Sequence, residues 1–263
     1  MLKFILKIYG KIQLNLGIKR HIEKFTFHFL NWYQFSFETK FLYRLYKLLD
    51  NHFTNRIFFH YGADYRWNDQ RSQNLDKDTF NQGYGLAHYA LIRNQKPKNL
   101  LCIGSMYGYI PYMMSKACEE NGYGKVDFVD AGYDIDDSND RARHNFGLGF
   151  WKKHNVKKHF SYLLDNSYID FHLMRSQDFA KKTKKKYDYI YIDGGHWYAQ
   201  AKEDFSLFWP KLKEEGFLVF HDIHYEVVSK GIPFEYWKLW EELIEEFGFK
   251  FELSNHYSGL GFI

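Results

Sequence analysis

With 263 residues, 45% hydrophobic and 26% charged, the chain has the composition of a folded globular protein and not of a disordered one. Its two cysteines, Cys102 and Cys118, form neither a Cys-x-x-Cys pair nor a zinc-spaced cluster, which fits a reducing compartment. The net charge of +4 is unevenly spread: residues 1 to 57 hold ten basic and three acidic residues (+7), leaving 26 basic and 29 acidic (−3) for the remainder.

In the first segment Ile5, Ile8, Tyr9 and Ile12 recur at helical spacing while Lys3, Lys7 and Lys11 line another face, which predicts a basic amphipathic helix. Such a helix packs on its own domain or on a second subunit in a homodimer, or rests peripherally on an anionic membrane. The same lysines interrupt the apolar stretch that a signal peptide requires, and no later run is long enough to span a bilayer. A cytoplasmic protein is expected. Phe41, Leu42, Leu45, Leu48 and Leu49 predict a second helix, and the polar stretch from Thr54 to Gly85 reads as a loop. Residues 1–80 are therefore read as a basic helical extension with its linker, and 81–263 as the catalytic domain.

From Lys98 onward, short apolar runs alternate with helical segments. Strands are predicted at Leu100–Ile103, Val126–Val129, Phe171–Met174, Tyr187–Ile192 and Phe217–Phe220, with helices at Ile110–Asn121, Ala199–Leu212 and around Phe234–Phe247. Alternation of this kind implies an α/β fold whose parallel sheet is covered on both faces. Lys250–Leu253 and Leu260–Ile263, joined by a polar turn, predict a closing hairpin at the sheet edge.

The first of these strands runs into Gly104-Ser105-Met106-Tyr107-Gly108 and a helix, so that glycines allow close backbone approach and free N–H groups follow. The spacing departs from the Gly-x-Gly-x-x-Gly fingerprint, which disfavours a nicotinamide enzyme. Asp130 ends the second strand, where a carboxylate can accept hydrogen bonds from both hydroxyls of a ribose. Two further strands end in Asp193-Gly194-Gly195-His196 and in His221-Asp222, groups able to accept a proton or to ligate a hard divalent cation. His224, three residues beyond His221, is read as coincidental spacing.

From about Asn81 to Phe220 this pattern resembles the class I S-adenosylmethionine-dependent methyltransferases, particularly the branch whose fourth strand ends Ile-Asp-Gly-Asp-His and whose fifth ends His-Asp. The resemblance implies a Rossmann-like, mostly parallel seven-stranded sheet with S-adenosylmethionine as cofactor. It implies that Gly104, Ser105, Met106 and Gly108 cradle the methionine part of that cofactor, that Asp130 holds the ribose, and that Ser176 and Gln177 lie beside adenine. Asp193 would border the methyl-transfer centre. In related sugar and macrolide O-methyltransferases the carboxylates matching Asp193 and Asp222 bind magnesium.

Three departures stand out: Cys102 replaces a usual acid, Met106 a common glycine, and Gly195 a carboxylate. With that carboxylate absent, His196 and then His221 become the candidate bases, with Asp193 as partner. The expected acceptor is a hydroxyl of a small polar molecule, first a sugar or nucleotide-linked sugar for surface polysaccharide. The alternatives are a phenolic or phosphorus acid, or a binding protein that has lost catalysis. A nucleic-acid acceptor is disfavoured, because the fourth strand lacks the Asn/Asp-Pro-Pro-aromatic ending that grips a flipped base and the basic excess lies outside the catalytic segment.

Overall fold

The computed structural model describes residues 75–76, 81–133, 149–155, 166–224, 228–229, 232–233, 235–248, 251–254 and 258–263. All fall within a compact unit running from Asn55 to Ile263. The two helices expected before residue 50 and most of the polar join lie outside the described residues.

Seven strands form the main sheet: β1 (Asn99–Ile103), β2 (Lys125–Asp130), β3 (Ile169–Leu173), β4 (Tyr187–Ile192), β5 (Leu212–His221), β6 (Phe251–Ser254) and β7 (Gly259–Phe262). Their spatial order is β6-β7-β5-β4-β1-β2-β3. Strands β1 to β5 pair in parallel, whereas β7 runs antiparallel to both β5 and β6, so the closing hairpin lies at the edge where it was expected.

The central strands are continuous apolar runs because both faces are covered. On one face Leu100, Cys102, Phe128, Tyr189 and Tyr191 pack with residues of α1 (Gly83–Gln95) and α2 (Tyr109–Asn121). On the other, Leu101, Ile103, Ile190, Ile192 and Phe220 pack with α3 (Ser176–Lys182), α4 (Tyr198–Phe208) and α5 (Tyr236–Phe247). Helix α5 buries Tyr236, Leu239, Trp240 and Leu243, the i, i+3, i+4, i+7 stripe of an amphipathic helix.

Several boundaries differ from expectation. Helix α4 stops at Phe208 and not at Leu212, because Trp209–Lys211 tightens into a 3-10 turn around Pro210, which has no N–H to continue the ladder. Strand β5 accordingly starts at Leu212 instead of Phe217: Leu212 pairs with Tyr187, and the charged residues after it fall in a register irregularity before pairing resumes at Phe217 and Tyr189. Strand β3 begins at Ile169, two residues ahead of the predicted Phe171. Helices α1 and α3 were not foreseen, and α1 begins inside the stretch read as loop, after a short pairing of Leu75–Asp76 with Asn81–Gln82. Among the described residues no helix is long and apolar enough to cross a membrane.

Candidate active site

Strand β1 is flanked by β2 on one side and β4 on the other. The chain order reverses between β1 and β4, which opens a crevice beyond the carboxyl ends of the strands. The cleft found there encloses about 910 Å³, open mouth included, and is walled by residues that follow β1, β2, β3 and β4.

Its floor is the turn after β1. Gly104 has φ +69°, and a Cβ there would lie 2.2 Å from the Asp193 carbonyl oxygen, so only glycine lets the turn pass the end of β4. The Gly104 N–H donates to the Val129 carbonyl (2.9 Å) and the Asp193 N–H to the Ile103 carbonyl (2.8 Å), which pins three strand ends together. Ser105 and Met106 line the cleft, and Met106 itself has φ +22°, a strained value at the position where a further glycine is common in the family resembled. Gly108 is not in the cleft wall: it caps α2 at φ +86° and donates its N–H to the Ser105 carbonyl at 2.5 Å. Beneath the turn Cys102 is fully buried with its Sγ 3.4 Å from the Gly104 carbonyl oxygen, and burial pushes the thiol up, so a neutral group replaces the acid expected there.

Asp130 stands at the tip of β2, its Oδ1 accepting the Gly132 N–H at 2.7 Å. Burial raises its pKa to about 6, against the opposing pull of the Gly132 and Ser105 backbone N–H groups. Ser176 and Gln177 open α3 at the cleft wall, Ser176 Oγ donating to Asp204 Oδ1 (2.6 Å) and Gln177 Nε2 to Glu203 Oε2 (2.7 Å). Asp204, on α4, is buried and lines the same cleft; sequence reasoning missed it because nothing in the helix pattern separates it from a surface acid.

The strand-end acids and imidazoles converge. His221 Nδ1 lies 3.0 Å from Asp193 Oδ1 and 3.4 Å from Asp222 Oδ1, while His196 Nε2 lies 2.9 Å from Asp222 Oδ2 and 3.6 Å from Asp193 Oδ1. Asp193 and His196 line the cleft; His221 and Asp222 are buried and do not belong to its wall. Asp222 holds φ +56°, and its Oδ1 is buried with no hydrogen-bond partner. Tyr191 OH donates to Asp193 Oδ2 at 3.0 Å. Burial alone would lower the His196 pKa, but hydrogen bonds from its ring to Asp193 and Asp222 raise it to about 9. Burial would likewise raise Asp193, yet His221 and His196 together hold its carboxyl well below the usual range. His224 instead meets Glu252 (3.1 Å) and stands outside the four-residue group. A Cβ at Gly195 would fall 2.8 Å from Gln200 Cγ and 2.9 Å from the Trp197 ring, so this chain has packed the space where the related branch carries a carboxylate.

Residues 101–223, from β1 to just past β5, match the family model of a methyltransferase domain. Among solved structures, the O-methyltransferase NovP is 14% identical, with a TM-score of 0.57 over 81% of this chain and 98% of its own. A candidate caffeoyl-CoA O-methyltransferase from Staphylococcus aureus is 18% identical, with a TM-score of 0.54 over 87% of this chain and 99% of its own. The O-methyltransferase TomG from Streptomyces achromogenes, involved in tomaymycin synthesis and solved with S-adenosylmethionine, is 12% identical, with a TM-score of 0.51 over 81% and 94%. At these identities the likeness is one of fold. No curated protein matched the chain significantly. The family model thus marks residues 101–223 as similar to a methyltransferase domain, and the sheet order and the cleft at the strand ends agree with that likeness.

Proposed function

We propose that the protein transfers the methyl group of S-adenosylmethionine to a hydroxyl of a small polar acceptor, first a sugar or nucleotide-linked sugar. The observation that carries this reading is one cleft at the strand ends that joins the Gly104 to Met106 turn, Asp130 and the Asp193–His196 pair. In this assignment the turn receives the methionine part, with Gly108 starting the helix behind it, Asp130 takes the ribose hydroxyls, and Ser176 and Gln177 border adenine. Asp193 faces the sulfonium, whose positive charge a buried carboxylate helps to bind; that charge is lost as the methyl passes to the acceptor oxygen and a neutral thioether departs. The basic residues 1 to 57 would attract the pyrophosphate of a carrier.

An alcohol is a poor nucleophile, so its proton must leave as the bond to carbon forms. His196 lies at the cleft wall for that task, but with no cation bound the two carboxylates beside it favour its protonated form, so that only a minor neutral fraction accepts a proton. Asp193 and Asp222 fit a divalent cation, since the Asp222 Oδ1 atom is buried without a partner beside them. Bound there, a cation would supply Lewis acidity toward a coordinated hydroxyl.

The test is calorimetric titration of the full chain with S-adenosylhomocysteine, followed by mass spectrometry of products from nucleotide sugars, phenols and phosphorus acids, with and without chelator. Binding plus methylated nucleotide sugar supports the proposal; methylation only of phenols or phosphorus acids overturns the sugar assignment. Absence of binding overturns the methyltransferase reading altogether.

A further inference from the structure

We infer that the cation site behind the cleft is a mixed nitrogen and oxygen site, in which His196 Nε2 and His221 Nδ1 join Asp193 and Asp222 as ligands, and that it selects a divalent transition cation over magnesium. The inference rests on the methyltransferase reading and deepens it, since two of the four residues, Asp193 and His196, line the cleft and would link the cation to it.

Four side chains from two strand ends bring one donor atom each within 4.8 Å of one another. Between these side chains the nitrogen-to-oxygen separations are 3.0 and 3.6 Å to Asp193 Oδ1, 2.9 Å to Asp222 Oδ2 and 3.4 Å to Asp222 Oδ1. Ligands about 2.1 Å from a common ion stand about 3.0 Å apart along the edge of an octahedron and about 3.4 Å apart along the edge of a tetrahedron. The nitrogen-to-oxygen separations fall in the range of such edges, and a spread of up to 4.8 Å needs the side chains to draw in by a few tenths of an ångström around an ion.

A proton-paired network would satisfy every buried carboxylate oxygen. Here Asp222 Oδ1 has none of its own, although the Asp222 side chain is only 5% exposed and this atom faces His221 Nδ1 within the group. Leaving a buried acceptor unpaired is costly, the more so for a charged one, and a shared cation removes that cost. The positive φ of Asp222 is a second strained feature at the same spot.

Donor chemistry then decides the ion. Magnesium takes oxygen ligands in near-ideal octahedral geometry and keeps several waters, whereas imidazole suits zinc, copper, iron and nickel. Two imidazoles of four donors weigh toward the second class. Gly195, packed against Gln200 and Trp197, leaves no room for the additional carboxylate that would restore an oxygen-rich set.

The experiment uses the full chain, stripped with chelator and dialysed, titrated with Co(II) while visible absorption is recorded, then back-titrated with magnesium at millimolar excess. S-adenosylhomocysteine binding is measured in parallel. Intense d–d bands of low coordination that survive magnesium, together with at least about a tenfold affinity loss in His196→Asn, support the site. His221→Asn should act likewise, and retained S-adenosylhomocysteine binding certifies that each variant folds. His224→Asn, whose ring meets Glu252 elsewhere, should leave the titration unchanged.

Bands no different from the aquo ion, or displacement by magnesium, in a chain that still binds S-adenosylhomocysteine overturn the inference and leave the methyltransferase reading standing. Cobalt bands lost in His196→Asn but present in a chain that never binds S-adenosylhomocysteine sustain the metal site and overturn that reading.

Discussion

Replacing Gly104 by alanine separates the two constraints that the turn after β1 imposes. Any L-residue at φ +69° bears the left-handed backbone penalty, about 1–2 kcal/mol. The added methyl also meets the Asp193 carbonyl oxygen at 2.2 Å and its carbon at 2.8 Å, backbone atoms that must be displaced, an overpacking cost of about 1–3 kcal/mol more. Gly122, at φ +63° with nothing within 4 Å of its missing Cβ, carries the first penalty alone. Urea unfolding of the two variants should thus differ by about 1–3 kcal/mol, with Gly104→Ala the less stable. Because the displaced backbone is the seat assigned to the methionine part, S-adenosylhomocysteine affinity should fall at least about tenfold in Gly104→Ala, about 1.4 kcal/mol, and stay at the wild-type value in Gly122→Ala. Equal stability of the two variants would refute the packing argument. Unchanged calorimetric affinity in Gly104→Ala would refute the assignment of the turn.

Asp130→Asn should weaken S-adenosylhomocysteine binding at least about tenfold, since hydrogen bonds to a charged group contribute about 1.5–3 kcal/mol. With the Asp130 pKa raised to about 6, wild-type affinity should decline as pH drops through that value, and this decline should vanish in the variant; calorimetry at pH 5 and pH 7.5 checks both. In chelated protein the His196 pKa is raised from 6.5 to about 9, so its ion pairing is complete below pH 6.5 and is lost as pH rises through 9. The loss amounts to at most about 3 kcal/mol. Unfolding free energy measured from pH 6 to pH 10 should fall more steeply in wild type than in His196→Asn; parallel curves would contradict the pairing. Ser176→Ala removes a 2.6 Å donor from buried Asp204 and should cost about 1–3 kcal/mol in urea unfolding, a loss not expected from the exposed Ser206→Ala.

The parts of the fold that could be read from the chain are those whose pattern is set by burial alone. Strands β1, β2 and β4 are short apolar runs bounded by turns, and they appear within a residue or so of their expected positions. Helix α1 escaped notice because it opens Gly-Tyr-Gly and segregates polar from apolar residues weakly, its buried side including His88, which meets Tyr189 OH at 2.7 Å. Only the opposing strand identifies that histidine as core. Strand β5 was cut short for a related reason: Lys213, Glu214 and Glu215 look like loop until the pairing of Leu212 with Tyr187 ahead of them is known, and Lys213 finds Asp188 at 2.6 Å. In the site, residues at strand ends were legible because parallel topology sends such tips to one edge. Asp204, Tyr191 OH and the burial of His221 and Asp222 behind the wall depend on side-chain packing between distant segments, for which the chain carries no local mark.

The place of β1 between β2 and β4 has a bearing on how the molecule assembles. Leu100 pairs with Val126 across a short connection but with Tyr189 across a long one, so the β1–β2 half can close early while β4 must arrive from far along the chain. The crevice is the seam between those halves and exists only once the late half has docked. A nucleoside seated in that seam therefore acts as a latch: it should slow separation of the two halves during unfolding and leave the rate of the initial collapse untouched.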